Sequence, residues 1–422
     1  MAHFGFLTLY LTGHLNPAMS LARALEERGH KVTFFNLSDV SQPIQENNFR
    51  FVQIGACDYP EGTLKQVLST IATLQGQEAF QFFLNMMTTL ARTSFRELPA
   101  LIEQTGVDTL VVDQLFPGGA TVAQHLRLPY ASQANALAVN YSVRVPPPVL
   151  PGTFADNAQA EARNEETWRG VRGLFQPWQD TDNAQRKSWG LPMYDYVLDD
   201  SFSPFAQIAQ QQASFDFPRK GLPSTFHYVG PLNHQGTRKE VPFHWEQLNN
   251  DPLVYASLGT MQNGQEWIFR IIMDACAELN AQIVLSLGGS VLNEEKLGVV
   301  PKNVLLVPYA PQFDVLARSN LCITHAGLNT ALDSLTNGVP MIAIPIANDQ
   351  FGVGARIEWT NTGKTISLAD LTAECLHGKM SEFFRNSTYQ THAKDMQKQI
   401  DRLSPLDHAC EILEHDVVGK CW

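Results

Sequence analysis

Two residues of this 422-residue chain have the chemistry of a general base and its partner. His14 follows a short apolar segment near the start of the chain, and Asp113 directly follows the apolar residues 109–112. An imidazole has a pKa near neutral pH, and a carboxylate can fix its tautomer and stabilise its protonated form. No Gly-x-Ser-x-Gly turn accompanies them, so the pair indicates a base with its orienting residue. The spacing alone also fits a loop histidine and a capping aspartate.

A second polar group lies where His325 ends an apolar segment and precedes an expected helix. The first N–H groups of a helix and the positive end of its dipole favour an anion. Gly327 allows close approach to the backbone, and Asp333 lies one turn further on, where it is placed to accept from sugar or ribose hydroxyls. The further side-chain donors at this helix start are Asn329 and Thr330. The segment predicts a diphosphate site, although it has neither a Walker A nor a GxGxxG pattern.

The elements around these groups repeat a strand–loop–helix–strand pattern. Residues 3–10 predict a buried strand, Asn16-Pro17 the start of a helix, Gly29 its end and residues 31–36 a second strand. The pattern begins again at residues 253–257, with a helix over 266–279 and a strand over 282–287. Strands over 304–307, 321–324 and 341–344 follow. Such alternation is typical of a parallel α/β sheet.

The restart predicts an α/β protein with two similar halves that are joined near residues 233–251. We expect a domain at 1–232, a linker at 233–251, a second domain at 252–400 and a helical tail at 401–422 that packs back on the first domain. Ligands of open parallel sheets bind beyond the carboxyl ends of the strands. The polar residues at those ends are Thr12 to His14, Asp113, Gly259 and Thr260, His325 to Thr330, and Asn348 to Gln350.

Composition and charge narrow the function further. The chain is 44% hydrophobic and 17% charged, with a net charge of −12, which disfavours nucleic acid as a partner. The six cysteines show neither a CxxC pair nor zinc spacing, so free thiols and a cytoplasmic location are expected. No apolar run is long enough to span a membrane. Residues 180–182 form an Asp-x-Asp pair of the kind that binds metals, but their polar context predicts a solvated loop.

Residues 309–350 resemble the sugar-nucleotide signature of the family 1 UDP-glycosyltransferases. An aromatic-APQ motif, HxGxNT and GVPM…P…DQ occur at matching spacing, and the N-terminal GHLNP…RGH is similar to the opening of that family. Within the family, residues 202–232 and 323–335 most resemble bacterial zeaxanthin glucosyltransferases. The resemblance implies the GT-B fold, in which two Rossmann-like, doubly wound parallel-sheet domains face each other across a cleft. It also implies inverting transfer that needs neither a metal nor another cofactor.

The resemblance also implies a role for each matched residue. His14 is then the base that deprotonates the acceptor hydroxyl, and Asp113 holds His14. The implied donor contacts are Tyr309 stacking on uracil, the Ala310 backbone reading its edge, Gln312 and Asp333 on ribose, His325, Gly327, Asn329, Thr330 and Thr260 around the diphosphate, and Asp349 and Gln350 on the sugar hydroxyls. Tyr309 replaces the tryptophan of plant members, which leaves UDP and dTDP both open. Asp333 is one methylene shorter than the usual glutamate.

The resemblance implies glucose transfer from UDP-glucose to a hydroxyl of a lipophilic acceptor, with a carotenoid such as zeaxanthin expected. Flavonoid, sterol or polyketide acceptors, a UDP-sugar 2-epimerase and a non-catalytic nucleotide-sugar binding protein are alternatives. A carotenoid acceptor requires access to the bilayer. For that contact the Phe- and Met-rich residues 78–92 are either a peripheral docking surface or a helix packed on the sheet.

Overall fold

The computed structural model describes residues 1–74, 76–238, 240–289 and 292–421. Two parallel sheets dominate it, one of seven strands and one of six. The first sheet has the order β3-β2-β1-β4-β5-β6-β7 and the second has β10-β9-β8-β11-β12-β13. Their strands are β1 (His3–Leu7), β2 (Lys31–Asn36), β3 (Arg50–Gln53), β4 (Thr109–Asp113), β5 (Tyr130–Ala134), β6 (Ala206–Ala209), β7 (Phe226–Tyr228), β8 (Leu253–Ser257), β9 (Gln282–Ser286), β10 (Val304–Val307), β11 (Leu321–Thr324), β12 (Met341–Ala343) and β13 (Gly363–Thr365).

Helices connect these strands and cover the sheets. They are α1 (Thr12–Glu27), α2 (Ser41–Glu46), α3 (Thr63–Ile71), α4 (Gly76–Thr105), α5 (Gly119–His125), α6 (Ala158–Leu174), α7 (Gln176–Ser188), α8 (Val197–Asp200), α9 (Glu266–Cys276), α10 (Glu294–Leu297), α11 (Gln312–Leu316), α12 (Leu328–Thr336), α13 (Gln350–Trp359), α14 (Ala373–Arg385), α15 (Thr388–Ile400) and α16 (Pro405–Ile412). This arrangement confirms the α/β class and the two doubly wound sheets.

The two sheets share one topological feature that matters for function. The strand order reverses between β1 and β4 in the first sheet and between β8 and β11 in the second. Loops leave such a pair of strands in opposite directions, so a crevice opens at the carboxyl ends of the two strands. We call the first sheet with its helices the first lobe and the second sheet with its helices the second lobe. Each lobe has one such crevice, lined by the loops after β1 and β4 in the first lobe and after β8 and β11 in the second.

Helix α1 begins earlier than its sequence predicts. We expected Asn16-Pro17 to start the helix, but α1 runs from Thr12 and encloses Pro17. The N–H groups of His14 and Leu15 both donate to the Leu11 carbonyl, which closes the first turn before the proline is reached. Pro17 has no N–H to donate to the carbonyl four residues earlier, that of Gly13. The helix continues because the Gly13 oxygen finds another partner, described below.

The Asp-x-Asp pair also differs from its prediction. Asp180 and Asp182 lie on α7 and not in a solvated loop. Asp182 is buried, accepts a hydrogen bond from Thr121 at 3.1 Å and lies beside Arg186, while Asp180 accepts one from Gln176. Residues two apart on a helix point to different sides, so the two carboxylates do not converge. The polar composition of this segment predicted a loop, but the segment is a helix whose buried face carries Asp182 and Arg186.

The Phe- and Met-rich residues 78–92 lie on α4 and pack inward. Leu84, Met86, Met87 and Leu90 are buried in the core of the first lobe. Phe80 packs edge-on against Phe175. This packing agrees with the amphipathic-helix alternative. No helix among the described residues is both long and apolar enough to cross a bilayer.

The C-terminal segment returns to the first lobe. Helix α16 packs against α1, and Cys410 and Leu413 belong to the same core as β1 and β4. Arg28 and His30 of the first lobe bind the Glu414 carboxylate at 2.7 and 2.9 Å. The chain thus crosses between the lobes twice. The exact domain boundaries remain predictions, and Lys239 of the expected linker lies outside the described residues. All six cysteines are free.

Candidate active site

His14 and Asp113 meet at the crevice of the first lobe. His14 lies in the first turn of α1, directly after β1, and Asp113 is the last residue of β4. The His14 Nδ1 is 2.7 Å from the Asp113 Oδ2. An ionised carboxylate only accepts, so Nδ1 carries the proton and Nε2 is left with a lone pair. The Asp113 side chain is fully buried, whereas the His14 side chain keeps 13% of its surface exposed.

The surroundings of His14 raise its pKa. Burial lowers the pKa, but the charge and hydrogen bond of Asp113 and the charge of Asp349 together outweigh burial. Asp349 comes from the second lobe, at the start of α13, and its carboxylate accepts the Leu137 N–H of the first lobe at 3.0 Å. Two carboxylates from opposite lobes therefore favour a proton on His14.

Three further donors fix the Asp113 carboxylate. Asn135 Nδ2 donates to Oδ2 at 2.7 Å, the Thr8 hydroxyl donates to the same oxygen at 3.4 Å, and the Leu115 N–H donates to Oδ1 at 2.9 Å. Asn135 lies one residue beyond β5 and is 2% exposed. The carboxylate is thus held on both oxygens, which fixes the orientation of the imidazole bonded to it.

His325 lies at the crevice of the second lobe, directly after β11. Its ring is seated between two glycines: a Cβ on Gly259 would lie 2.5 Å from the ring, and one on Gly327 would lie 2.6 Å from it. Ala326, between His325 and Gly327, has a φ of 65°, a left-handed conformation that is costly for a residue with a side chain. The loop is thereby held in a strained shape that brings the start of α12 to the crevice.

Burial sets the protonation of His325. It lowers the pKa of His325 to about 4, and a hydrogen bond with the Ser257 backbone only partly offsets this effect. The ring is therefore neutral near pH 7. The positive character at this site comes from the first N–H groups of α12, which have no acceptor within the helix.

Asn329 bridges the two lobes. Its Nδ2 donates to the Gly13 carbonyl at 2.7 Å, and its Oδ1 accepts from Gln210 Nε2 at 2.8 Å. The Gly13 carbonyl is the one that Pro17 leaves without a helical donor. The proline in α1 therefore makes an acceptor available to the second lobe, one residue from His14. This bond places the His14 and His325 loops at the same cleft.

Gln312 and Asp333, the two residues expected to bind ribose, are hydrogen-bonded to each other, and Asp333 is also bonded to the linker. Gln312 Nε2 donates to Asp333 Oδ2 at 2.8 Å, and Thr330 donates to Gln312 Oε1 at 3.2 Å. The other Asp333 oxygen accepts from Arg238 at 2.8 Å and from Asn233 at 3.1 Å. A ribose hydroxyl would have to replace one of these donors to reach Asp333.

The remaining predicted residues follow strands β8, β10 and β12 of the second sheet and differ in how exposed they are. Tyr309 is 52% exposed, as a stacking platform for a base requires, and Ala310 and Thr260 are half-buried. Gln350 is buried, and its amide oxygen accepts the N–H groups of Ile346 and Ala347. In this arrangement the Gln350 amide oxygen binds its own loop, and the amide nitrogen donates to Gln262 at 3.0 Å.

A cavity of about 220 Å³ lies between the lobes beside α1. It is lined mainly by apolar side chains of the first lobe, with Thr260 and Met261 from the second. Its apolar lining includes Tyr10, Leu15, Leu64 and Leu68. Thr12 and Leu15 also line the cavity, so it lies within one turn of α1 from His14.

Sequence reasoning missed Asn135 and Gln210. Both follow a strand end, at β5 and β6, so the rule that selected Asp113 selects them as well. Arg238 and Asn233 of the linker carried no comparable signal, because only the fold brings them to Asp333.

Solved structures with the same architecture identify the fold. The crystal structure of the glycotransferase of kitacinnamycin matches with a TM-score of 0.77, 18% sequence identity and coverage of 99% of both chains. At this identity the likeness defines the fold alone. It is the GT-B arrangement of glycosyltransferases, as the sequence predicted.

Sequence comparison defines the family. The family model described as UDP-glucoronosyl and UDP-glucosyl transferase matches residues 195–416, just over half of the chain. The zeaxanthin glucosyltransferase of Pantoea ananas is 31% identical over 418 residues, covering 98% of this chain and 96% of that protein. That of Pseudescherichia vulneris is 29% identical, covering 100% and 99%. The chain therefore belongs to the UDP-glucuronosyl and UDP-glucosyl transferase family and is a glycosyltransferase.

Proposed function

We propose that this protein transfers glucose from UDP-glucose to a hydroxyl of a lipophilic acceptor, a carotenoid such as zeaxanthin, with inversion and without a metal. The observation that carries the catalytic part is the 2.7 Å bond between His14 and Asp113 at the cleft. Family membership supports the nucleotide-sugar donor.

His14 is the proposed general base. Its Nε2 takes the proton of the acceptor hydroxyl while that oxygen attacks the anomeric carbon. The bond from this carbon to the diphosphate oxygen breaks, and the electron pair leaves with the nucleoside diphosphate. Attack and departure on opposite faces invert the anomeric centre. Asp113 stabilises the imidazolium that forms, as a buried carboxylate does in other base–carboxylate pairs.

The leaving diphosphate is proposed to rest on the start of α12. The N–H groups there supply partial positive charge without reorganisation, and His325 is the proposed ring contact beside them. Thr260 and Thr330 are the proposed hydroxyl donors around it. Asp349 and Gln350 remain the proposed sugar contacts, Tyr309 and Ala310 the base contacts, and Gln312 and Asp333 the ribose contacts.

The lipophilic acceptor rests on two observations. The cavity beside α1 is lined mostly by apolar side chains, which suits an apolar ring or chain end. The two relatives at about 30% identity over the full chain are named zeaxanthin glucosyltransferases. Peripheral contact with a membrane is part of this proposal, because a carotenoid is dissolved in the bilayer.

The decisive experiment incubates the purified protein with UDP-glucose and zeaxanthin in detergent micelles and follows products by chromatography and mass spectrometry. We expect a zeaxanthin glucoside, with equal yield when EDTA is added. Parallel incubations with a flavonoid, a sterol and a polyketide test the alternative acceptors, and dTDP-glucose tests the base. Efficient glucosylation of one of these with none of zeaxanthin would contradict the proposed acceptor but keep the glycosyltransferase.

A further inference from the structure

A closed circuit of hydrogen bonds links the proposed base to the start of α12, and Gln210 is its central member. Gln210 follows β6 and is 2% exposed. Its Nε2 donates to the Asn135 carbonyl at 2.5 Å and to Asn329 Oδ1 at 2.8 Å. Both hydrogens of one amide nitrogen are thus used, one within the first lobe and one across the cleft.

The circuit returns to His14 from both ends. On one side, Asn135 donates through its side chain to the Asp113 oxygen that binds His14. On the other side, Asn329 donates to the carbonyl of Gly13, the residue before His14. Removing the Gln210 amide therefore opens this circuit between Asn135 and Asn329 and leaves the Asn329–Gly13 bond as its remaining link across the cleft.

We propose that Gln210 is a positioning residue that aligns the His14–Asp113 pair with the diphosphate loop across the cleft. This inference rests on the proposed role of His14 as the base. Gln210 does not touch the reacting atoms in this proposal. Its bond to Asn329 contributes to how the lobe with the base sits against the lobe with the leaving group. Transfer rates are steeply sensitive to the distance between the reacting groups that these two lobes carry.

The test compares two substitutions of equal size two residues apart. Gln210→Met removes the amide and keeps the length of the side chain. Gln212→Met does the same at a buried neighbour (5% exposed) whose amide atoms have no hydrogen-bond partner among the described residues. We expect Gln210→Met to lower kcat roughly 10- to 100-fold and the Kd for UDP to change less than about 3-fold. Gln212→Met should keep kcat within about 2-fold.

Two further variants separate alignment from packing. Gln210→Glu keeps the shape of the side chain but places a carboxylate oxygen opposite the Asn135 carbonyl and the Asn329 Oδ1, neither of which can donate. This variant should therefore have a lower kcat than Gln210→Met. In the pair Gln210→Met and Asn329→Ala, the double variant should be no slower than the slower single one, because both break the same connection. Additive losses, or equal losses in Gln210→Met and Gln212→Met with equal falls in Tm, would overturn the inference.

The same assay keeps this inference distinct from the proposed function. An inactive His14→Ala beside a fully active Gln210→Met would refute the alignment role and leave the base in place. An active His14→Ala would refute the base itself.

Discussion

The two lobes place a histidine at the cleft, yet the two rings have opposite electrostatic surroundings. His14 is bonded to Asp113 and faces the charge of Asp349, so its pKa is raised. His325 lies between two glycines, no carboxylate of the described residues is bonded to it, and burial lowers its pKa to about 4. The same side chain therefore has a raised pKa in one lobe and is a neutral ring in the other, because the partners differ.

Topology sharpens this contrast. β4 in the first sheet and β11 in the second occupy the same place in the strand order, so Asp113 and His325 come from equivalent positions. The equivalent of the β1 loop, which carries His14, is the β8 loop with Gly259. The crevice of the first lobe holds the His14–Asp113 pair, whereas that of the second lobe holds the start of α12, the proposed anion site.

The largest difference should follow from removing each ring. His14→Ala should lower kcat by about 10²- to 10⁴-fold, since it removes the base, with little change in the Kd for UDP. His325→Ala should mainly weaken donor binding. Steady-state kinetics and calorimetry with UDP measure both. Equal kcat losses with equal changes in Kd would remove the distinction between the two lobes.

Asp113→Asn should give the next largest effect. The variant keeps the shape but loses the charge that stabilises the imidazolium, so kcat should fall roughly 10²-fold. The pKa of His14 should also drop, because the charge and hydrogen bond of Asp113 are the largest of the effects that raise it. The base must be neutral to act, so the acidic limb of the kcat/KM profile should move to lower pH. A limb that stays in place would exclude His14 as the titrating group.

Gly259→Ala tests the seat of His325. The new Cβ would lie 2.5 Å from the ring, and the φ of 71° at this position disfavours any side chain. We expect the KM for UDP-glucose to rise about 10-fold, with a lower Tm. Gly378→Ala is the matched control, since a Cβ there meets nothing within 4 Å on helix α14. A variant with unchanged donor KM would show that the ring position does not matter for the donor.

Asn135→Leu should have the smallest effect and the opposite direction in pH. Loss of the Asn135 donor leaves the Asp113 oxygen more basic, which raises the pKa of His14. The acidic limb should therefore move up by about 0.5 pH unit. Asn140→Leu, which removes a buried amide bonded to Gln207, is the control and should leave the limb in place. A downward shift for Asn135→Leu would contradict this account of the pair.

Sequence patterns located most of the strands that carry the site. Residues 253–257, 304–307 and 321–324 match β8, β10 and β11 to the residue. β8 and β11 are buried throughout, and such strands read as continuous apolar runs, whereas β10 is a half-buried edge strand whose four residues are nevertheless all apolar. The predicted start of α1 at Asn16-Pro17 and the predicted loop around Asp182 were wrong. In both cases a local signal, a proline and a polar composition, was overruled by backbone bonds and by burial.

The sequence by itself determined the α/β class, the restart that makes two lobes, and the identity of the residues at the strand ends, because periodicity and turn chemistry are local properties. Only the tertiary structure decided which of them meet. Asp113 reaches His14, Asn329 reaches Gly13 and Arg238 reaches Asp333 through the packing of distant segments. The opposite pKa directions of His14 and His325 follow from that packing, since a charge at a few ångströms and the loss of water are properties of the folded chain alone.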